Sequence, residues 1–556
     1  MPLLLALSAV LLMGWFSPEI SDTDFWWHLK TGQYISENHA LPVPDPFAYT
    51  SSLGKPAYPG EERTRYFNLT HEWLTQWMFY GIYRAAGFAG IVLFRAALLT
   101  AFCALAGLIA WRRRGCLHLA LAAAFAAAGV ASGFALDRPF IVTFVALAAT
   151  IAILEFRRPL WLLPPVLLLW ANCHGGFFLG WVVLAAYSAE AVFLRWRKQP
   201  LADDHRLWIA CALAIALSGL NPNGFRIPWI LAAYRQSYLT SRLLEWAPPG
   251  LWPPHWWSVL LVAAAACLWW ARRRVRPVDW ILFAAFTAAA LTASRNVILI
   301  GLAAPILLAS YLPAWKRAVP AALDWAAAAV LLACLSAGIA QGSFFQLRAN
   351  DWKWPSRAAD FLLAHHLAAP LFNTYEFGGY LIWRLWPQER VFIDGRSLNE
   401  SVFLDYARIL YNHDESGGKS AQELLDQYGV EIIVVNGFEY TTGNVYMLAP
   451  ALADPQQTAW KLVPAGDPEA MVFMRHPPAG VDPLPSLAVF DQLESQCDLH
   501  IQREPRYTRC ARSLGQVFLK VGDAARARRW LATYLRLPHE SDPQAEQALQ
   551  QLLGGR

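Results

Sequence analysis

Ser21-Asp22-Thr23-Asp24-Phe25-Trp26-Trp27-His28-Leu29-Lys30 follows the first apolar segment immediately and sets two carboxylates, three aromatic rings and an imidazole at a membrane border. As a helix start, Ser21 to Asp24 has capping-box spacing, and acids are favoured at a helix N-terminus. Asp24, His28 and Thr31 then share one face at i, i+4 and i+7. Two readings fit: an interfacial amphipathic helix with an aromatic belt, or a catalytic carboxylate held at the membrane surface.

Composition decides the class. The 556 residues are 56% hydrophobic and 16% charged, against about 25% charged in soluble domains. The net charge of +5 is not gathered on one face but sits in short clusters between apolar runs, as topology signals do; nucleic acid is excluded as a partner. Six cysteines (103, 116, 173, 211, 267, 334) lie in or beside apolar runs and read as small buried hydrophobes. Cys497 and Cys510 are the pair left in the tail, and no Cys/His spacing suggests a structural zinc. Met1 to Phe16 lacks a basic leader and a small-residue cleavage site, and reads as a retained first span.

The pattern predicts a polytopic α-helical membrane protein. After the first span comes a large loop (20–87) with two juxtamembrane helices, the second starting at Thr70-His71-Glu72-Trp73, and an irregular middle from Pro42 to Gly60. Apolar spans follow near 88–110, 117–136, 139–155, 159–172, 176–195, 206–221, 256–271, 278–294, 297–312 and 321–340, eleven in all with the first. With the N-terminus inside, the inner loops collect fourteen Lys and Arg (Arg112–Arg114, Arg157–Arg158, Arg195/Arg197/Lys198, Arg272–Arg274 with Arg276, Lys316/Arg317), whereas the tight outer turns hold Arg138 and Arg295. That asymmetry predicts N-in/C-out and an extracytoplasmic tail. Asp22, Asp24, His71, Glu72, Asp137, Arg138, His174, Asn221, Glu245, Arg295 and Asn296 then all fall on the outer side, which suggests a cavity open to the outer leaflet.

Three domains are expected: 1–340 in the membrane, an extracytoplasmic α/β domain over 341–480, and a helical tail over 486–556. In the α/β domain, Ala369–Asn373, Arg390–Ile393, Glu431–Val435 and Met471–Met474 read as strands, and Ser401–Tyr411 and Ala421–Tyr428 as helices. In the tail, Gly522-Asp523-Ala524-Ala525-Arg526-Ala527 resembles the turn into a tetratricopeptide-type (TPR-like) helix, which would offer a docking surface for a protein partner. An extracytoplasmic tail would also permit a Cys497–Cys510 disulfide.

A family resemblance enters at Asp24-Phe-Trp-Trp-His-Leu-Lys30, which looks like the first-loop signature of the GT-C glycosyltransferases, among them the oligosaccharyltransferases and protein-mannosyltransferases. More closely, Trp26-Trp27-His28-Leu29, Asp45-Pro46-Phe47, His71-Glu72-Trp73-Leu74, Arg138-Pro139, Asn172-Cys-His174-Gly175-Gly176, Asn221-Pro222-Asn-Gly224, Asn373-Thr-Tyr-Glu-Phe-Gly378-Gly379-Tyr380 and Phe392-Ile-Asp394-Gly395-Arg396 resemble an uncharacterised bacterial group placed with that class. The resemblance implies a GT-C-like fold in a bacterial plasma (inner) membrane, and transfer of a sugar from a polyprenyl-phosphate donor to an acceptor at the outer face. Phe25 stands where the peptide-transferring members have Pro, so the acceptor is left open.

Such chemistry needs a carboxylate to activate the acceptor or hold a metal, cationic groups for the departing phosphate, and a groove for the lipid. Asp24 is the first candidate for the carboxylate and Asp22 the second. Their spacing suits a divalent metal ion, although Asp22 is equally suited to cap the helix. His71 and Glu72, at a helix start, are candidates to complete the acid/base or metal set, the alternative being a capped, solvated helix start. Arg138 and Arg295 are candidates for the phosphate; the alternatives are snorkelling and, for Arg138, an ion pair with Asp137. His28, Lys30, His174, Tyr375 and Glu376 complete the candidate substrate contacts. Tyr375 to Tyr380 resembles the acceptor motif of oligosaccharyltransferases, its alternative being a strand-to-helix turn with packed aromatics. Asp394 and Arg396 are read as a strand-end ligand site or a structural pair. A non-catalytic assembly or scaffold protein on the same fold is the competing class. A transporter ranks third, since the sequence reads with no inverted repeat and no mid-span ionisable pair.

Overall fold

The computed structural model describes residues 2–157, 159–199, 204–313, 320–412, 418–504 and 507–554, so Arg158, Lys316 and Arg317 of the basic clusters lie outside the described residues. The chain divides into two compact units: residues 1–44 with 56–350, and residues 45–55 with 351–556.

The first unit is helical. It opens with α1 (Pro2–Trp15), α2 (Phe25–Asn38), α3 (Glu61–Thr70) and α4 (Trp73–Arg114). Five helical stretches are long and apolar enough to cross a membrane: Glu61–Arg114, Leu117–Phe134, Gly175–Trp196, Ser294–Tyr311 and Ala321–Ala340. Five shorter apolar ones are Pro2–Trp15, Phe140–Phe156, Leu160–Cys173, Trp256–Ala271 and Pro277–Thr292; at 1.5 Å per residue they fall short of the roughly 30 Å apolar thickness if straight. In α4 the backbone leaves helical geometry at Gly87 (φ 60°, ψ −155°), a conformation open to a residue without Cβ. Gly87 separates a 14-residue arm bearing the Glu72 end from the apolar span that ends at Arg112–Arg114.

Beyond α4 come α5 (Leu117–Ala131), α6 (Phe140–Phe156), α7 (Leu163–Cys173), α8 (Phe178–Trp196), α9 (Asp204–Ser218), α10 (Ile227–Tyr234), α11 (Tyr238–Arg242), α12 (Trp256–Ala271), α13 (Pro277–Thr292), α14 (Ile298–Tyr311) and α15 (Ala321–Ala340). Leu99, Ala127, Leu147, Leu167, Val183 and Leu302 meet in one continuous core. Small residues let the helices approach closely: a Cβ on Gly107 would stand 2.8 Å from the Ala120 carbonyl oxygen. One ionisable pair contradicts the sequence reading. Arg95, inside the span expected over 88–110, is buried, donates to Asp137 and also bonds the carbonyls of Phe16 and Pro18. Asp137 is therefore the partner of Arg95.

The second unit is α/β. After α16 (Ser356–Ala364) come β1 (Leu371–Asn373), α17 (Tyr375–Leu385), α18 (Glu400–Tyr411), α19 (Ala421–Gln427), β2 (Ile432–Val435), α20 (Leu448–Leu452), β3 (Lys461–Val463) and β4 (Met471–Met474). The sheet order is β1-β2-β4-β3, with β1 and β2 parallel and the other pairs antiparallel. Leu371 is opposite Ile432, and Ile433 and Leu462 flank Phe473. The expected strand at Arg390–Ile393 is not in this sheet. Val391 instead bridges Ala48, drawing residues 45–55 of the first loop into this unit; the strand at Lys461–Val463 was not anticipated. Arg396 explains the hold on that loop, since it bonds Asp394 and Asp45 at 2.7 Å each with almost no exposure. The pair Asp394–Arg396 is thus a structural clamp on Asp45-Pro46-Phe47.

The tail forms α21 (Ala488–Arg503), α22 (Arg509–Lys520), α23 (Ala524–Arg536) and α24 (Pro543–Gly554). Asp523 caps α23 by accepting from the Arg526 N–H at 3.0 Å, after Gly522 at φ 81°. Cys497 and Cys510 are joined, tying α21 to α22, and Leu493, Leu514 and Trp530 share a core with Ile433 and Phe473.

Candidate functional site

The site is built where α2, α3, α4 and the turns before α6 and α8 meet. Asp22 makes the turn into α2: its Oδ1 accepts the Asp24 N–H at 3.1 Å. The capping box from Ser21 does not form, because α2 begins at Phe25 with Asp24 in the N-cap position and no side-chain cap bond. The Asp24 carboxylate is thereby left available, and it lies 2.8 Å from Arg138 Nη1. Arg138 also donates from Nε to Asp22 Oδ2 at 2.5 Å and from Nη2 to Oδ1 at 2.8 Å. One guanidinium thus holds both carboxylates, in the forked geometry that Arg supplies.

Charge balance separates the two acids. Burial pushes Asp24 up to about 6, with Asp22 adding to the rise and Arg138 opposing it. Burial acts against Asp22 as well, but its bonds to Arg138 outweigh it and hold this carboxyl below its usual range. One buried acid stays ionised while its neighbour titrates near neutrality, an arrangement suited to a general base.

Glu72 sits one helix away, at the N-cap of α4, with no capping bond from its side chain. Three imidazoles surround it: His71 Nε2 at 3.2 Å, His28 Nδ1 at 3.6 Å and His174 Nε2 at 3.6 Å. Burial pushes His28 down to about 4, so it stays neutral at pH 7. Glycine makes the crowding feasible: a Cβ on Gly175 would stand 2.4 Å from the Phe67 ring, and one on Gly32 2.0 Å from the Gln76 carbonyl oxygen. Trp73 Nε1 donates to Asn172 Oδ1 at 2.9 Å, and Thr75 donates to the Cys173 carbonyl at 2.9 Å, locking α4 to the end of α7.

Tautomers follow from the partners. His71 Nδ1 faces the Phe67 carbonyl at 2.8 Å, which can only accept, so Nδ1 carries hydrogen and Nε2 turns towards Glu72. A neutral His71 would set a lone pair against the carboxylate, so the pair accommodates a proton or a cation. His174 Nδ1 accepts the Gly176 N–H at 3.0 Å, which leaves its hydrogen on Nε2, directed at Glu72. His71, Glu72 and His174 offer donor atoms within 4.8 Å of one another, the spacing among the described residues that could hold a metal ion. Asp22 and Asp24, the sequence candidates for a metal, are engaged with Arg138 instead. On donor chemistry His71 and Glu72 fit a divalent cation, and His174 in this tautomer orients Glu72.

The remaining sequence candidates have partners of their own. Arg295 pairs with Glu245 at 3.5 Å, stacks over Trp246 and contributes to the field at His174, so it stands at the margin of the site. Lys30 is two residues beyond His28, on the far side of α2, and its Nζ donates to Gln33 at 3.2 Å. Tyr375 and Glu376 belong to the second unit. The Tyr375 N–H donates to Tyr406 and its hydroxyl to the Gly395 carbonyl; Glu376 Oε1 accepts from Tyr446 at 2.6 Å. These contacts form a helix start with packed aromatics. Gln76, 3.2 Å from His28, and Thr143, 2.8 Å from His174, escaped the sequence reading because lone polar residues in helices carry no motif.

Compared by sequence, the chain matches no family model and no curated protein. Solved structures do match. Archaeal oligosaccharyltransferase AglB from Archaeoglobus fulgidus, in complex with an inhibitory peptide and a dolichol-phosphate, aligns over 96% of this chain and 85% of its own at 11% identity and a TM-score of 0.54. The apo Archaeoglobus fulgidus oligosaccharyltransferase aligns over 90% and 78% at 12% identity and 0.51. The form tethered with an acceptor peptide containing the NVT sequon aligns over 87% and 75% at 11% identity and 0.52. Extending across both units at this sequence distance, the likeness is one of architecture: the chain has the GT-C fold of the archaeal oligosaccharyltransferases.

Proposed function

We propose that the protein is a membrane glycosyltransferase that moves a sugar from a polyprenyl-phosphate donor to an acceptor at the outer face of a bacterial inner membrane. The observation that carries this reading is the Arg138 guanidinium shared by Asp22 and Asp24, beside Glu72 and its histidines, in a fold whose solved examples include an enzyme bound to a dolichol-phosphate. Asp24 acts as the catalytic carboxylate. When the donor phosphate enters, it competes for Arg138, and the bond to Asp24 is the one released, since Asp22 holds the fork. The freed carboxylate takes the acceptor proton, and Arg138 balances the charge on the departing phosphate. A divalent cation at His71 and Glu72 would add positive charge beside that phosphate.

The reading includes eleven spans, N-in/C-out, with the tail outside the cytoplasm; the joined Cys497 and Cys510 favour that compartment. The tail helices, read as TPR-like, serve as a docking surface for a protein partner. Undecaprenyl phosphate should raise the unfolding temperature of the purified protein in detergent, whereas a neutral polyprenol should not. Equal, null shifts for both lipids would remove the lipid-phosphate donor.

A further inference from the structure

At the other end of the first unit, α4, α6, α8 and α13 enclose a second polar centre. Phe140 and Phe156 bound α6, which places the two centres about 24 Å apart along that helix. Glu155 accepts from Arg113 Nε at 3.0 Å, from Arg276 Nη1 at 2.9 Å and from Tyr187 at 2.5 Å. Glu190 takes the other side of Arg276 at 2.8 Å, and Asp279 the other side of Arg113 at 2.9 Å. Within this network three acids share two arginines, Arg113 between Glu155 and Asp279 and Arg276 between Glu155 and Glu190.

Two further arginines stand outside that network. Next to the network lies a cavity of about 380 Å³, lined by Arg112, Arg157 and Arg276 with Glu155, Glu190 and Phe156. Arg112 extends over the Phe156 ring, its guanidinium carbon 5.7 Å from the centroid. Arg157 Nη1 is buried and has no hydrogen-bond partner. A buried, unpaired guanidinium nitrogen is costly unless an anion meets it. Four arginines, Arg112, Arg113, Arg157 and Arg276, then face three acids, Glu155, Glu190 and Asp279, so one positive charge is left uncompensated at the cavity.

We infer that this cavity binds a phosphate group through Arg157 and Arg112. The nearby surface of α8 exposes Val192, Phe193 and Trp196, which suits the acyl chains of an anionic phospholipid whose headgroup occupies the cavity. Basic pockets between membrane helices bind such headgroups through forked arginine contacts. The site is separate from the Asp22–Arg138 centre and does not depend on the reaction assigned there.

Native mass spectrometry of the full-length protein, exchanged from detergent into equal mixtures of phosphatidylglycerol and phosphatidylcholine, reads this directly. Wild type should retain phosphatidylglycerol preferentially. Arg157→Ala should lose that preference about tenfold, the value of one charge-assisted bond. Arg112→Ala, at an exposed side chain that folding does not need, serves as the second variant, and Arg273→Ala as the control that keeps the preference. Inorganic phosphate that stabilises lipid-free wild type but not Arg112→Ala or Arg157→Ala would assign the same site to a soluble phosphate. Equal retention of both lipids with no phosphate effect, or Arg112→Ala and Arg157→Ala both matching wild type, would overturn the inference.

Discussion

Arg138 Nη1 lies 2.8 Å from Asp24 Oδ2, while the rest of the same guanidinium forks onto Asp22. The asymmetry makes Asp22 the anchor of the arginine and Asp24 the partner that can be exchanged. Removing the arginine should therefore hurt the fold as well as the site. Arg138→Ala leaves two buried carboxylates without a cation and should cost about 3 kcal/mol in unfolding free energy. Arg138→Lys should recover part of that, because a point charge replaces the fork without its geometry. Thermal unfolding of the two variants in one detergent checks the order.

The acid pair sets a pH dependence with opposite signs. Asp24 is raised to about 6 from an ordinary 3.8, so its contribution to stability is present below pH 4 and lost as pH rises through 6. Asp22 is lowered, so its contribution is present above its ordinary range and lost as pH falls. Stability of wild type relative to Asp24→Asn should thus decline between pH 4 and 6. If Asp24 is the base, the transfer rate should rise over the same window, through about pH 6. A flat stability difference would contradict the placement of Asp24.

Gly32 is the contact point of α2 on α4. A Cβ there would fall 2.0 Å from the Gln76 carbonyl oxygen, a backbone atom that cannot swing aside. Gly32→Ala should push the helices apart and cost about 1–3 kcal/mol. It should also separate His28 from Glu72, so activity should fall further than an equally destabilising change in α15. Matched unfolding and transfer assays on the two variants distinguish these effects.

In the second unit, burial raises Glu376 to about 7. Its native form gains stability below its ordinary range, and that gain is lost as pH rises through 7. Glu376→Gln, which keeps an acceptor for Tyr446, should remove the decline in stability that wild type shows between about pH 4.5 and 7. Reduction of Cys497–Cys510, which closes a 13-residue separation, should cost about 3 kcal/mol, read as a fall in unfolding temperature with dithiothreitol that Cys497→Ser with Cys510→Ser reproduces.

Much of this was legible in the sequence because it was written in local patterns. Apolar runs bounded by Arg clusters marked the helices, and motif residues at their ends marked Asp24, Glu72, Arg138 and His174, four groups that folding brings to one place. What failed was long-range pairing. Asp137 lies next to Arg138 in sequence yet pairs with Arg95, 42 residues away. Asp45 gave no sign that it would answer Arg396, 351 residues on. Lys30 looked like part of the signature, but helical geometry turns it away from His28. Arg390–Ile393 has strand composition, and its edge is taken by the first loop instead of a neighbour in the sheet.

The central claim is that Asp24 is the catalytic carboxylate of a lipid-phosphate-dependent glycosyltransferase. The direct measurement is transfer or hydrolysis of radiolabelled undecaprenyl-phosphate sugars by purified wild type and by Asp24→Asn, each shown to be folded by its unfolding temperature. The account predicts turnover by wild type and a loss of at least about 100-fold in Asp24→Asn, with the lipid-phosphate stabilisation retained. Wild-type activity in Asp24→Asn would contradict it.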